Sequence, residues 1–293
     1  MKSYGLFPRE SGFSTDYADN FDPRINNEFA AAAFRFGHSM VPHSFSSVSR
    51  QGSSTVLQLR STSFSPARIK RTGFLDGLVR GMAGEGGQLW DNSFVADVRN
   101  HLFESSPGRG GLDLVAVNIQ RGRDHGLPGY NKYREICTGN RAKDWSDLRR
   151  SIDPEHIEQL RSIYRHVDDV DLYVGGFLEA AHEDSILGPV FKCIIGDQFA
   201  RLKKGDRFFY DLGLDENLAF SLSQLNEVKI NTETQFSLDF IRVVFRYGRP
   251  LWRELSVITL TTWTPFSRWH SKRQPPAPMQ SDLAGRTPFR GST

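Results

Sequence analysis

The stretch that most constrains the fold is 26–40, NNEFAAAAFRFGHSM. Four consecutive alanines between phenylalanines suit a helix buried against close neighbours, because small side chains let other backbone approach. Ile25, Phe29, Ala33, Phe36 and Met40 recur at spacings of four, four, three and four, which defines one apolar face. Asp22-Pro23 reads as the helix start, Asp as the cap and Pro in the first helical position. Pro42 ends the run. A second stripe, Asn27, Ala31, Phe34, Arg35 and His38, occupies a neighbouring face.

Elsewhere the pattern predicts a mainly α chain. Residues 1–21 read as loop, and residues 43–72 are Ser-rich and irregular. Helical patterns follow at 74–82, 91–102, 154–166 and 187–202, and another starts at 223–228. Residues 113–121 begin apolar and end polar, and could open as a short helix; 107–111 and 125–130 are turns rich in Gly and Pro. Strand-like alternation is scarce. At 38% hydrophobic and 24% charged residues the chain is globular in composition, and no run approaches the ~18 apolar residues of a membrane span. Residues 1–10 lack the apolar core of a signal peptide.

The net charge of +3 hides a division. Residues 229–293 hold ten Lys and Arg against four Asp and Glu, together with Trp252, Trp263, Trp269 and the run QPPAPM. Residues 1–228 are therefore net acidic. The two segments are expected to be distinct: a body over 1–228 and a loosely ordered basic tail over 229–293. The scattered arginines of the tail follow no motif, so nucleic acid is not an expected partner.

Chemistry-bearing residues concentrate in two places. His38 follows Gly37 near the end of the Ala-rich run, with Arg35 one turn earlier on the same face. A neutral imidazole on a rigid helix is a good metal ligand, Gly37 leaves room for a large planar ligand, and a guanidinium suits a carboxylate on it. On spacing alone a core histidine with a local hydrogen bond is the commoner outcome. The second place is NIQRGRDHG, 118–126. Adjacent Asp124 and His125 could be a catalytic pair, but neighbours in sequence seldom face each other, and arginine–aspartate contacts holding a turn account for the charges better. Cys137 and Cys193 are either one disulfide or two buried thiols. No CxxC, HExxH, GxGxxG or P-loop pattern occurs.

These segments carry a resemblance. NNEFAAAAFRFGHSM resembles the proximal-histidine helix of the animal haem peroxidases, and LDLVAVNIQRGRDHGLPGYNKYREIC resembles the second signature of that family. VDDVDLYVGGFLE and LGPVFKCIIGDQFARLKKGDRFFY resemble two further family segments in the same order, so the likeness covers roughly residues 3–228. It is similar to the peroxidasin and chorion-peroxidase-like branch.

The resemblance implies the C-terminal, proximal-haem part of a mainly α fold. It implies His38 as axial ligand of a b-type haem iron. Asn118 would accept a hydrogen bond from the other ring nitrogen, fixing the tautomer and strengthening the imidazole as a donor to iron. It implies Arg35 and Arg121 as partners of the haem propionates. It implies a Cys137–Cys193 disulfide, hence an oxidising, extracellular setting. The implied reaction is reduction of hydrogen peroxide with oxidation of a phenolic, tyrosyl or halide donor. The family's distal histidine, in a Gln-x-x-x-His-Asp segment, has no match in this chain, nor do its distal arginine and calcium loop. The expectation is a fragment with little activity alone, with a non-catalytic haem-binding or structural remnant as the rival. After Gln224–Val228 the sequence leaves the family pattern.

Overall fold

The computed structural model describes residues 4–6, 9, 11–106, 108–181, 185–215 and 217–234. The tail expected to be loosely ordered lies, from residue 235 onward, outside the described residues. The main elements in chain order are α1 (Asn27–Ala31), a 3-10 segment (Ala33–Met40), β1 (Ser44–Val48), β2 (Ser54–Gln58), α2 (Phe74–Gly84), α3 (Ala96–Arg99), α4 (Leu114–Asp124), α5 (Tyr130–Thr138), α6 (Pro154–Ile163), α7 (Leu172–Leu178), α8 (Pro189–Gly205) and α9 (Leu222–Thr234). The fold is mainly α, as the sequence pattern predicts. α9 continues through residue 228, the expected end of the body.

The Ala-rich run is not one helix. α1 starts only at Asn27, Ala32 leaves helical geometry at φ −136° and ψ −71°, and the chain continues as 3-10 turns to Met40. Two tertiary facts override the local signals. Asp22 does not cap a helix; its carboxylate accepts from the Arg24 backbone N–H and pairs with the Arg24 guanidinium. Gln198, fully buried on α8, accepts from the Asn26 N–H at 2.7 Å and donates to the Arg24 carbonyl at 3.1 Å. The Arg24 carbonyl and the Asn26 N–H are thus bonded to α8 and are not available to a helix. Ile25, expected on the buried face, is consequently 53% exposed, while Phe29, Ala33 and Phe36 are buried as the spacing predicts.

Residues 43–72, expected to be irregular, contain an antiparallel hairpin in which Phe45 pairs with Leu57 and Ser46 with Val56. Gly52, at φ +86°, turns the chain, helped by a Ser49–Ser53 hydroxyl contact at 2.7 Å. β1 packs on α2 through glycines: a Cβ at Gly77 or Gly81 would collide with Ser47 or with the Ser46 carbonyl. The glycines of the helix, more than apolar alternation in the strand, create this interface. Gly81→Ala is therefore expected to lower stability by about 2 kcal/mol, because backbone must move to admit the methyl group. Gly84→Ala, where a Cβ meets nothing within 4 Å, is expected to change it by less than about 1 kcal/mol. Urea titration of the two variants decides between this account and a tolerant hairpin, which would leave both unchanged.

The core lies where the Ala-rich run, α5, α7 and α8 meet, around Phe36, Tyr130, Val170, Phe191 and Ile195. α7 carries Gly175 and Gly176 side by side; a Cβ on the first would enter the Tyr130 ring, and on the second the Phe191 ring. The Gly-Gly pair lets α7 sit between the aromatic rings of α5 and α8. The short α7 is thereby held deep enough for its Tyr173 to reach the site described next. The Cys137–Cys193 disulfide joins α5 to α8, with Cα atoms 5.8 Å apart.

Candidate functional site

α4 brings the second signature against the first. Asp113 caps the helix, accepting from the Val115 and Ala116 N–H groups. One turn further on, Asn118 faces inward and is fully buried. Its amide meets three side chains. Nδ2 lies 2.9 Å from His38 Nδ1 and donates to the Tyr173 hydroxyl at 3.0 Å. Oδ1 accepts from Arg35 Nη1 at 3.0 Å. Residues 80 and more positions apart thus form one hydrogen-bonded set. The expected contact between Asn118 and His38 Nδ1 is present, with the amide nitrogen turned toward the ring. Arg35, whose guanidinium can only donate, faces the oxygen end of the amide.

Two cationic side chains, Arg35 and Arg121, border the set. Arg35 donates Nε–H to the Ala30 carbonyl at 3.0 Å and makes no ion pair among the described residues. Burial, with Arg121 nearby, holds its pKa below the ordinary arginine value. Among the described residues the ion pair of Arg121, three residues past Asn118 on α4, is a 4.0 Å contact with Asp124. Two guanidiniums with so little negative charge between them suit an anionic group. His38 is half-buried, and burial, followed by the Arg35 charge, lowers its pKa, so the imidazole is neutral at pH 7. With Nδ1 on Asn118, no hydrogen bond to His38 Nε2 occurs among the described residues. Beside it a Cβ on Gly37 would meet nothing within 4 Å.

These features fit a haem. A neutral imidazole offers one ring nitrogen, open space adjoins it, and two arginines stand ready for carboxylates. His38, Asn118, Arg35 and Arg121 are the residues that would hold it.

The other candidates separate. Asp124 accepts from Gln120 at 2.7 Å, whereas His125 Nδ1 lies 2.6 Å from Asn27 Oδ1, so the adjacent pair serves two different contacts. Arg123 makes a bidentate pair with Asp171, at 2.9 and 2.7 Å, and ties α4 to the start of α7. The charges of 118–126 thus serve mainly to dock one helix on another, and the arginine–aspartate contact inside the segment is the 4.0 Å approach of Arg121 to Asp124.

Sequence reasoning missed Tyr173. Its side chain is buried and its pKa is raised by that burial. A tyrosine within LYVGGFL, whose neighbours are apolar or glycine, was the available signal, because a buried phenol needs a polar partner.

The model of the animal haem peroxidase family matches residues 1–237. The chain is 38% identical over 232 residues to the chorion peroxidase of Drosophila melanogaster, covering 78% of this chain and 28% of that protein. To the peroxidasin of the same species it is 37% identical over 219 residues, covering 73% of this chain and 14% of that protein. It therefore spans well under half the length of either relative. Among solved structures, peroxidase A of Dictyostelium discoideum superposes with a TM-score of 0.63 at 34% identity, over 84% of this chain and 45% of that one. The matched region contains the His38, Asn118 and Tyr173 segments alike, and on that ground the chain belongs to the animal haem peroxidase family.

Proposed function

We propose that this chain supplies the proximal, histidine-bearing wall of a haem peroxidase, with His38 as the axial ligand of the iron. The observation that carries the reading is the His38–Asn118–Arg35 set, assembled from two separate sequence segments. Haem, when bound, supplies two-electron reduction of hydrogen peroxide and oxidation of a phenolic, tyrosyl or halide donor. The chain's own residues orient the ligand: Asn118 holds the far ring nitrogen of His38, and Arg35 and Arg121 take the propionates. No residue here corresponds to the family's distal histidine, so the proton transfers of O–O cleavage are not assigned to this chain. Little turnover by 1–293 alone is part of the proposal. The disulfide and the family suggest an extracellular setting. Among the described residues no helix is long and apolar enough to cross a membrane.

Titration with haem tests the ligand. The parent chain is expected to shift the Soret band and saturate at one haem per chain, and His38→Ala to lose the shift or weaken binding at least tenfold. Superimposable titrations would remove His38 as the ligand.

A further inference from the structure

Charge is also buried away from the haem site, where residues 12–16 meet the end of α8. The Ser14 N–H donates to the Asp211 carbonyl at 2.7 Å and joins the two stretches. The Asp211 side chain beside that bond is 1% exposed, and neither of its carboxyl oxygens accepts a hydrogen bond among the described residues. Lys203, on the last turn of α8, is also buried. Its Nζ donates to the Gly5 carbonyl at 3.1 Å and lies 3.3 Å from Asp16 Oδ2 and 3.9 Å from Asp211 Oδ2.

A carboxylate taken out of water without a hydrogen bond is costly, and an ion pair at this distance offsets only part of the cost. The two carboxyls stand in opposite conditions. Burial pushes Asp211 above the usual carboxylate range, against the pull of Lys203 and Lys229. Asp16 is held below that range by Ser14 and Lys203, although burial opposes them. One site thus gathers an amine, a carboxyl that tends to the neutral acid and a carboxylate that stays ionised. These are a nucleophile, an electrophile and a base.

We propose that Lys203 and Asp211 condense into an intramolecular isopeptide bond, with Asp16 as the base. Asp16 takes a proton from the Lys203 ammonium. The freed amine attacks the Asp211 carboxyl carbon, which rotation of the flexible lysine stem brings to the ~3–3.5 Å of a near-attack contact. The Nζ–Cγ bond forms, the C–OH bond of the acid breaks, and the hydroxyl leaves as water. Of the three ammonium protons, one stays as the amide N–H, one departs in the water, and one remains on Asp16, whose half-exposed side chain returns it to solvent. Nothing is oxidised or reduced. Asp16, although nearer to Nζ, is not the electrophile, because an ionised carboxylate resists attack. The product replaces a buried ion pair by a neutral amide and fastens the turn at 206–211 to the last turn of α8.

Intact-mass measurement on the full chain, reduced and denatured, tests this. The parent chain is expected to weigh one water less than its sequence, and trypsin to release 202–204 joined to 208–229. Lys203→Arg should have the full mass of its own sequence. Asp211→Asn should form the same amide with loss of ammonia in place of water. Asp16→Ala should leave most chains uncrosslinked. A parent chain at its full sequence mass overturns the proposal, whether or not the variants fold. So does a lost water that maps to other residues, a Lys229–Asp211 link included, or a Lys203→Arg variant still lighter by one water. Asp16→Ala crosslinked as completely as the parent overturns the role of Asp16 as base.

Discussion

Removing the Cys137–Cys193 disulfide lowers the unfolding free energy of the chain by about 4 kcal/mol, the loop-closure value for a 56-residue separation. The crosslink ties α5 to α8, and these helices flank the core that seats α7. The effect should therefore be global and reach the site through Tyr173, whose helix wedges between the rings of Tyr130 and Phe191. Urea unfolding of the parent chain with and without reductant, beside Cys137→Ser/Cys193→Ser, measures it. The reduced parent and the double variant should agree, since both free the loop in the unfolded state. Equal midpoints for oxidised and reduced chains would show that the crosslink contributes nothing. A double variant much weaker than the reduced parent would instead point to lost packing at the two sulfur positions.

How much of this was legible in the sequence depends on what each residue answers to. The helix opening at 113 was legible in outline because the partners of Asp113 are its own neighbours, two and three residues on. Asp22 was misread because its local partner, Arg24, satisfies it without a helix, and because Gln198, some 170 residues away, holds the adjoining backbone. The hairpin at 44–58 escaped notice because its packing surface is supplied by Gly77 and Gly81 of α2, and its strands are serine where alternation would be apolar. His38, Asn118, Arg35 and Arg121 were singled out through the family resemblance, not through spacing. Spacing cannot show that α4 lies against the 3-10 segment, nor which end of the Asn118 amide faces the ring. Tyr173 and Glu179 went unremarked for a related reason: each is polar in an apolar stretch, and its partners come from other helices.

Glu179 is where that omission has the largest consequence. Replacing it with glutamine is expected to abolish a loss of stability on the order of 3 kcal/mol that the parent chain suffers between about pH 4.5 and pH 7. The carboxyl sits just past α7, 3% exposed, accepting from the Tyr130 hydroxyl and from the Val190 N–H, both at 2.8 Å. Burial raises its pKa from 4.5 to about 7, although the Val190 N–H, the Tyr130 hydroxyl and the Arg134 charge all favour ionisation. Desolvation outweighs those three together. The folded chain therefore binds a proton that the unfolded chain has released between these pH values. Its contribution is fully present below pH 4.5 and is lost as pH rises through 7. In Glu179→Gln the new side chain would imitate the protonated acid: its carbonyl can accept from Val190 N–H, and its amide can donate to the Tyr130 oxygen. The variant should match the parent at pH 4 and exceed it at pH 8. Because other carboxylates titrate in the same range, the decisive quantity is the difference between the two stability curves from urea titrations at pH 4, 5, 6, 7 and 8. A difference that does not change with pH would mean that Glu179 is ionised in the folded chain throughout, its charge balanced by Arg134 and the start of α8.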